Sequence, residues 1–190
     1  GLYENTKRVN LERVRERVQS IAATAAFQFD TNDLNALRVE KDWQKPEWAK
    51  VVNQLKEIRE SNPGVLYAYI FRKSKTDPSK LEFVSDSHSL NPYANLDNDP
   101  TNDINIGPDD GKFDPYGEEL LQWPGQPYDS APKEAYEAFA GPTSNQDFYT
   151  DKWGTVVSGY APIRDSKGDV TAVIAVDIDA QAFGRLNQNG

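Results

Sequence analysis

The chain has 190 residues, a net charge of −9, 37% hydrophobic residues and 11% aromatics, enough apolar material for the core of one domain of moderate size. A net negative surface repels phosphate backbones, which disfavours nucleic acid as a partner. The absence of cysteine excludes disulfides and thiolate metal sites, and no apolar run reaches the roughly 18–20 residues that a membrane helix needs.

Thr6–Phe29 has helical periodicity: Val14, Val18, Ile21, Ala25 and Phe29 recur at spacings of three and four, with Arg and Glu between them. Its first turns are highly charged and are expected to be solvated. Asp30–Asp42 reads as a polar connector. A second helix follows from Lys45-Pro46-Glu47, where proline near the first turn loses no needed hydrogen bond. Trp48, Val51, Val52, Leu55 and Ile58 form its apolar stripe, and Ser61-Asn62-Pro63-Gly64 stops it.

Val65–Arg72 is expected to be a strand with Val65, Tyr67, Tyr69 and Phe71 on one face. A turn at Thr76–Ser79 leads to a returning strand, Leu81–Asp86. Ser87–Lys112 is a long polar loop, and loops of that length in compact domains are usually functional or mobile. Short helices are expected at Tyr116–Leu121 and Ala131–Phe139. Thr155–Ile163 and Val170–Ile178 are β-branched runs joined by the polar, Gly-containing Arg164–Asp169, the pattern of a hairpin with a buried face. The predicted architecture is α+β, with helices placed around an antiparallel sheet.

Enzyme chemistry finds little support in these residues. His88 is the only histidine and there is no cysteine, so a nucleophilic triad and a His-rich metal site both lack parts. Phosphate-cradling glycine motifs are absent. Asp97, Asp99, Thr101 and Asp103 alternate as calcium-loop ligands do, but Asn102 and Pro108 stand where an EF-hand loop needs Gly and Glu. The segment therefore reads as a solvated acidic loop, and no metal or cofactor is expected. Asp177 and Asp179 share one face of the last strand. Tyr128, Tyr149, Trp153 and Tyr160, with Asp151 as a charged anchor, have the composition of a small-molecule pocket wall, although the same residues could pack at a sheet edge.

Several segments in order carry a family resemblance: Pro124-Gly125-x-x-Tyr128-Asp129; Tyr149-Thr150-Asp151-x-Trp153-Gly154-Thr155; Ser158-Gly159-Tyr160-Ala161-Pro162-Ile163-Arg164-Asp165; then Gly168 and Val176-Asp177-Ile178. Together they resemble the Cache superfamily of PAS-like extracellular sensor domains, over roughly Trp43 to Ala180. The resemblance implies a PAS-like antiparallel sheet of five to six strands with the long N-terminal helices packed on one face. It places a small ligand on the other face, under the long loop. Three parts follow from it: N-terminal helices over 1–60, a sensor domain over 61–183, and a tail over 184–190 leading to a membrane span.

The parent protein would be a membrane-anchored receptor of the histidine kinase, cyclase or chemoreceptor type. This chain would be its extracellular or periplasmic portion, without catalytic activity and homodimeric through the N-terminal helix. A chain that opens on Gly and holds no Met is expected to be processed or excised from a longer product. In amino-acid-sensing relatives a carboxylate before the last hairpin holds the ligand's amine, and Asp151 matches it. Those relatives also use an Arg-x-Trp-Tyr element. Here Leu121-Gln122-Trp123-Pro124 occupies that region without the Arg, so an amine- or carboxylate-bearing ligand is expected without a commitment to an amino acid. The expected ligand-binding residues are Tyr69, Phe71, Tyr116, Tyr128, Asp151, Trp153, Tyr160 and Asp177. The alternative reading is a structural or dimerisation module whose working part is the first helix.

Overall fold

The computed structural model describes residues 2–86, 122–146, 149–151 and 154–181, with side chains from residue 11 onward apart from those of 149–151. The first helix, α1, spans Leu2–Ala26. It stops before Phe29, but Phe29 still turns inward and is buried with Val14, Val18, Ile21 and Ala25, so the apolar stripe outlasts the helix. Asp30 caps the next turn by accepting a 2.8 Å hydrogen bond from the Asn32 amide.

The expected polar connector proves to be structured. It contains α2 (Thr31–Asn35) and a 3-10 turn at Glu40–Gln44. Leu34 and Leu37 are fully buried. Asp42, also buried, accepts hydrogen bonds from the Arg38 and Val39 amides at 2.7 and 2.9 Å. Burial is the largest single influence and raises its carboxyl, but these two bonds, together with the hydrogen bond and charge of Lys45, outweigh it and hold the carboxyl below the usual carboxylate range. Two leucines among polar neighbours are thus enough to pin a segment that lacks helical periodicity. The third helix, α3, runs over Pro46–Ser61 with Pro46 in its first turn and its predicted stripe buried.

Among the described residues six strands form one antiparallel sheet: β1 (Val65–Lys73), β2 (Leu81–Asp86), β3 (Thr143–Ser144), β4 (Tyr149–Asp151), β5 (Gly154–Arg164) and β6 (Val170–Asp179). The order across it is β2-β1-β6-β5-β3, with β4 also pairing with β5. A short helix, α4 (Lys133–Glu137), precedes β3. The β5–β6 turn closes as its sequence predicts: Asp165 Oδ1 accepts the Lys167 and Asp169 amides, and Gly168 takes the positive φ of 88°.

One large cluster joins α1, α2 and α3 to the first face of the sheet, through Ala68, Ile70, Val84, Val157, Ala161, Ile163, Ile174, Val176 and Ile178. A second, smaller cluster lies on the opposite face around Phe71, Tyr128 and Tyr160. This is the α+β arrangement expected, with the N-terminal helices on one face; α4 packs against the other. One face assignment needs correcting. Val65 packs with the helices, whereas Tyr69 and Phe71 face the other way. The register against β6 shifts between Val65 and Tyr67, and an extra residue reverses the alternation beyond it.

Candidate functional site

The sheet face opposite the helices is built by period-two alternation. Tyr69 and Phe71 come from β1, Leu81 and Phe83 from β2, Ser158 and Tyr160 from β5, and Val173, Ala175 and Asp177 from β6. Its cover includes one segment with unusual geometry. Trp123-Pro124-Gly125-Gln126 makes a tight turn in which the Gln126 amide donates to the Trp123 carbonyl and Gly125 sits at φ 87°. A side chain at Gly125 would also stand 2.7 Å from the Arg38 carbonyl oxygen. Beyond the turn the chain runs along the outer edge of β2, exchanging backbone hydrogen bonds with Leu81 and Phe83. That course delivers Tyr128 onto the face, where its ring stacks on Phe83 at 4.3 Å and meets Phe71 edge-on at 5.4 Å. The Tyr69 and Tyr128 hydroxyls lie 3.3 Å apart. Phe139, just past α4, closes on Phe71 at 6.1 Å, and Tyr160 does so at 6.0 Å.

Asp177 supplies the charge in this aromatic setting. It stands on the central strand β6, in register with Tyr67 on one side and Ser158 on the other. Its Oδ1 accepts a 2.6 Å hydrogen bond from the Ser158 hydroxyl. Burial pushes its carboxyl up to about 6, and only the Ser158 bond opposes that rise. No Lys or Arg among the described residues contributes to holding it ionised. The phenols of Tyr69, Tyr128 and Tyr160 are all raised, first by burial and further by the Asp177 charge. They stay protonated at physiological pH and offer neutral hydroxyls. The arrangement suits a small polar ligand with an apolar body, and a cationic group best of all, because a cation would compensate the carboxylate.

The sign of the pH effect follows. Asp177 has a higher pKa in the fold than its ordinary 3.8, so the folded chain binds this proton more tightly than the unfolded chain does. Its contribution to stability is full below about pH 4 and is lost as pH rises through about 6. Asp177→Asn should therefore raise the melting temperature more at pH 7.5 than at pH 5. Thermal denaturation of both proteins at both pH values checks this, and a gain that does not change with pH would count against it.

Of the eight residues expected at the site, Tyr69, Phe71, Tyr128, Tyr160 and Asp177 share this face. Tyr116 and Trp153 lie outside the described residues, as do the Ser87–Lys112 loop, with its acidic Asp97–Asp103 run, and the Tyr116–Leu121 helix. Asp151 ends β4 opposite Gly154 of β5, and its side chain is also outside the described set. Sequence reasoning missed Ser158, Phe83, Phe139 and Glu134. The first two were within reach of period-two logic: Ser158 lies two residues before Tyr160, and Phe83 two after Leu81. Glu134 is buried and accepts a 3.1 Å hydrogen bond from the Gln146 amide. No local pattern announces that contact. Among the described residues no group of His, Cys, Asp and Glu could hold a metal ion, and no helix is long and apolar enough to cross a membrane.

No family model and no curated protein sequence matches the chain. Similar solved structures exist. The extracellular domain of the histidine kinase mmHK1S-Z2 is 16% identical, with 90% of this chain and 55% of that chain covered at a TM-score of 0.44. The ligand-binding domain of the Campylobacter jejuni chemoreceptor Tlp3 in complex with 4-methylisoleucine is 14% identical, with 93% and 56% covered at 0.47. The same domain in complex with L-valine is 15% identical, with 93% and 57% covered at 0.45. The chain spans little more than half the length of these structures. At these values function has to come from this chain's own residues.

Proposed function

We propose that this chain is the extracytoplasmic sensing portion of a membrane receptor, and that it binds a small cation-bearing molecule on the Asp177 face of the sheet. One observation supports the reading above the others: a partly buried carboxylate beside three phenols, two of them buried, with no cation beside it among the described residues. Structural proteins gain nothing from such a group, because burying an unpaired charge is costly. A ligand ammonium would remove that cost. Asp151 is proposed as a second anchor, and Trp153 and Tyr116 as further walls. The protein acts by binding and carries out no chemical step. Ligand biases the receptor by binding one of two conformations more tightly. Homodimerisation through α1 belongs to the same proposal and is read by sedimentation, where a concentration-independent monomer would remove it.

The test is a thermal-shift screen of the chain against primary and quaternary amines, amino acids, small carboxylates, sugars and calcium. A ligand at 100 times its dissociation constant adds about 2.7 kcal/mol of stability, which melting curves resolve. The expected hit carries an amine, weakens as pH falls through about 6 and is lost in Asp177→Asn. A panel without hits, or a hit indifferent to Asp177→Asn, overturns the assignment.

A further inference from the structure

The Asp177 face and helix α1 lie on opposite sides of the sheet, so any event on that face must pass through or around the sheet to reach α1. The hydrogen bonds trace one course around the edge at β3. Ser158 donates its hydroxyl to Asp177 Oδ1 at 2.6 Å, and its carbonyl accepts the Asn145 amide at 2.9 Å. Asn145 and Gln146 follow directly on β3, the two-residue strand at the end of the sheet. Their carbonyls both accept from one side chain on α1: Arg15 Nε reaches Asn145 at 3.1 Å, and Arg15 Nη2 reaches Gln146 at 2.6 Å. The Gln146 amide in turn donates to Glu134, whose charge reaches Tyr160 on the Asp177 face. Asn145–Gln146 is therefore held from both faces at once, and α1 holds it through a single planar fork. Arg15 is also braced by Glu12, one turn earlier on α1.

We infer that Arg15 is the positioning residue that couples the Asp177 face to α1, by gripping the two-residue segment that the Ser158 and Glu134 contacts hold from the other side. The inference rests on the proposed ligand face, but its test does not need a ligand. Occupation of the face by a cation changes the Ser158–Asp177 bond. Ser158 and Asn145 are joined by their backbones, so the change moves the carbonyls that Arg15 holds. A fork with two fixed donors follows that movement, where a single flexible donor would absorb it.

Asp177→Asn serves as the probe, since it removes the charge that a bound cation would neutralise. Amide hydrogen exchange is read at Asn145 and Gln146, at Arg15–Gln19 on α1, and at Val51–Leu55 on α3 as a reference outside the network. Relative to α3, Asp177→Asn is expected to change exchange at least threefold both at Asn145–Gln146 and at Arg15–Gln19. With Arg15→Gln in addition, the change at Asn145–Gln146 persists and the change on α1 disappears. Arg15→Lys, which keeps the charge but not the fork, should leave an intermediate response on α1, and it stands in should the Gln variant unfold. The inference is overturned if α1 does not respond to Asp177→Asn, if it responds equally without Arg15, or if α3 shifts by the same factor. Because no ligand enters, an empty ligand screen fails the sensor reading while this result is decided separately.

Discussion

Gly159→Ala is expected to lower stability by about 3 kcal/mol, and Gly159→Val by more. Gly159 lies on β5, on the helix side of the sheet between Ser158 and Tyr160, where α1 crosses the strand. A Cβ there would stand 2.6 Å from the carbonyl carbon and oxygen of Val18 and 2.8 Å from the Gln19 amide nitrogen. These are helix backbone atoms with no rotamer to change, so α1 as a whole has to move away from the sheet. That movement loosens the buried contacts of Val14, Val18, Ile21, Ala22 and Ala25 together. Urea denaturation measures the effect as a lowered midpoint. Gly141→Ala provides the contrast, since a Cβ at Gly141 meets nothing within 4 Å. It is expected to stay within about 0.5 kcal/mol of the parent. Equal effects at the two glycines would show that the close approach of α1 has no energetic weight.

The second large effect is at Arg72, which is buried on the helix side of β1. Its Nη1 donates to the Leu34 carbonyl at 2.9 Å and its Nη2 to the Leu37 carbonyl. Its Nε and Nη2 also share Glu82 Oε2, on the neighbouring strand β2, at 3.1 and 2.9 Å. One guanidinium thus joins the Leu34 and Leu37 carbonyls, at and just past the end of α2, to a cross-strand carboxylate. Arg72→Met takes its guanidinium donor from the Leu37 carbonyl and from a nearly buried carboxylate, while the Leu34 carbonyl keeps the Leu37 amide at 3.1 Å; losing one member of such a charged pair costs about 3–5 kcal/mol. Arg72→Lys is expected to recover little, because one ammonium cannot span all three acceptors. Adding Glu82→Gln to Arg72→Met should recover part of the loss by removing the stranded charge, and the remainder belongs to the carbonyls. Chemical denaturation of the three variants checks the order. A single Arg72→Met variant as stable as the parent would show that water satisfies these carbonyls equally well.

The elements with strong local periodicity were legible in the residues. Helix α3 carries its stripe and its proline in register, and the β5–β6 hairpin declares itself by two β-branched runs around a turn with Gly168. Period-two alternation placed Tyr69 and Phe71 on one face; Tyr160 and Asp177 are expected at the site from their chemistry, and the pairing of β1 and β5 with β6 brings them to that face. The same rule failed at Val65, where a bulge against β6 shifts the alternation. Such a bulge belongs to the pairing of two strands and cannot be read from either alone.

Local periodicity thus reached the long helices α1 and α3 and the strands β1, β2, β5 and β6, which follow from backbone sterics and hydrophobic spacing, but not α2, the 3-10 turn or the short strands β3 and β4. Tertiary structure alone decided the contacts between segments far apart in the chain. Leu34 and Leu37 became core once Arg72 reached their carbonyls. Gly159 became a point of helix contact once α1 lay across β5. Arg15 found its acceptors 130 and 131 residues away. Those partners depend on how the packed layers sit against one another, a property of the assembled core that no window of sequence contains.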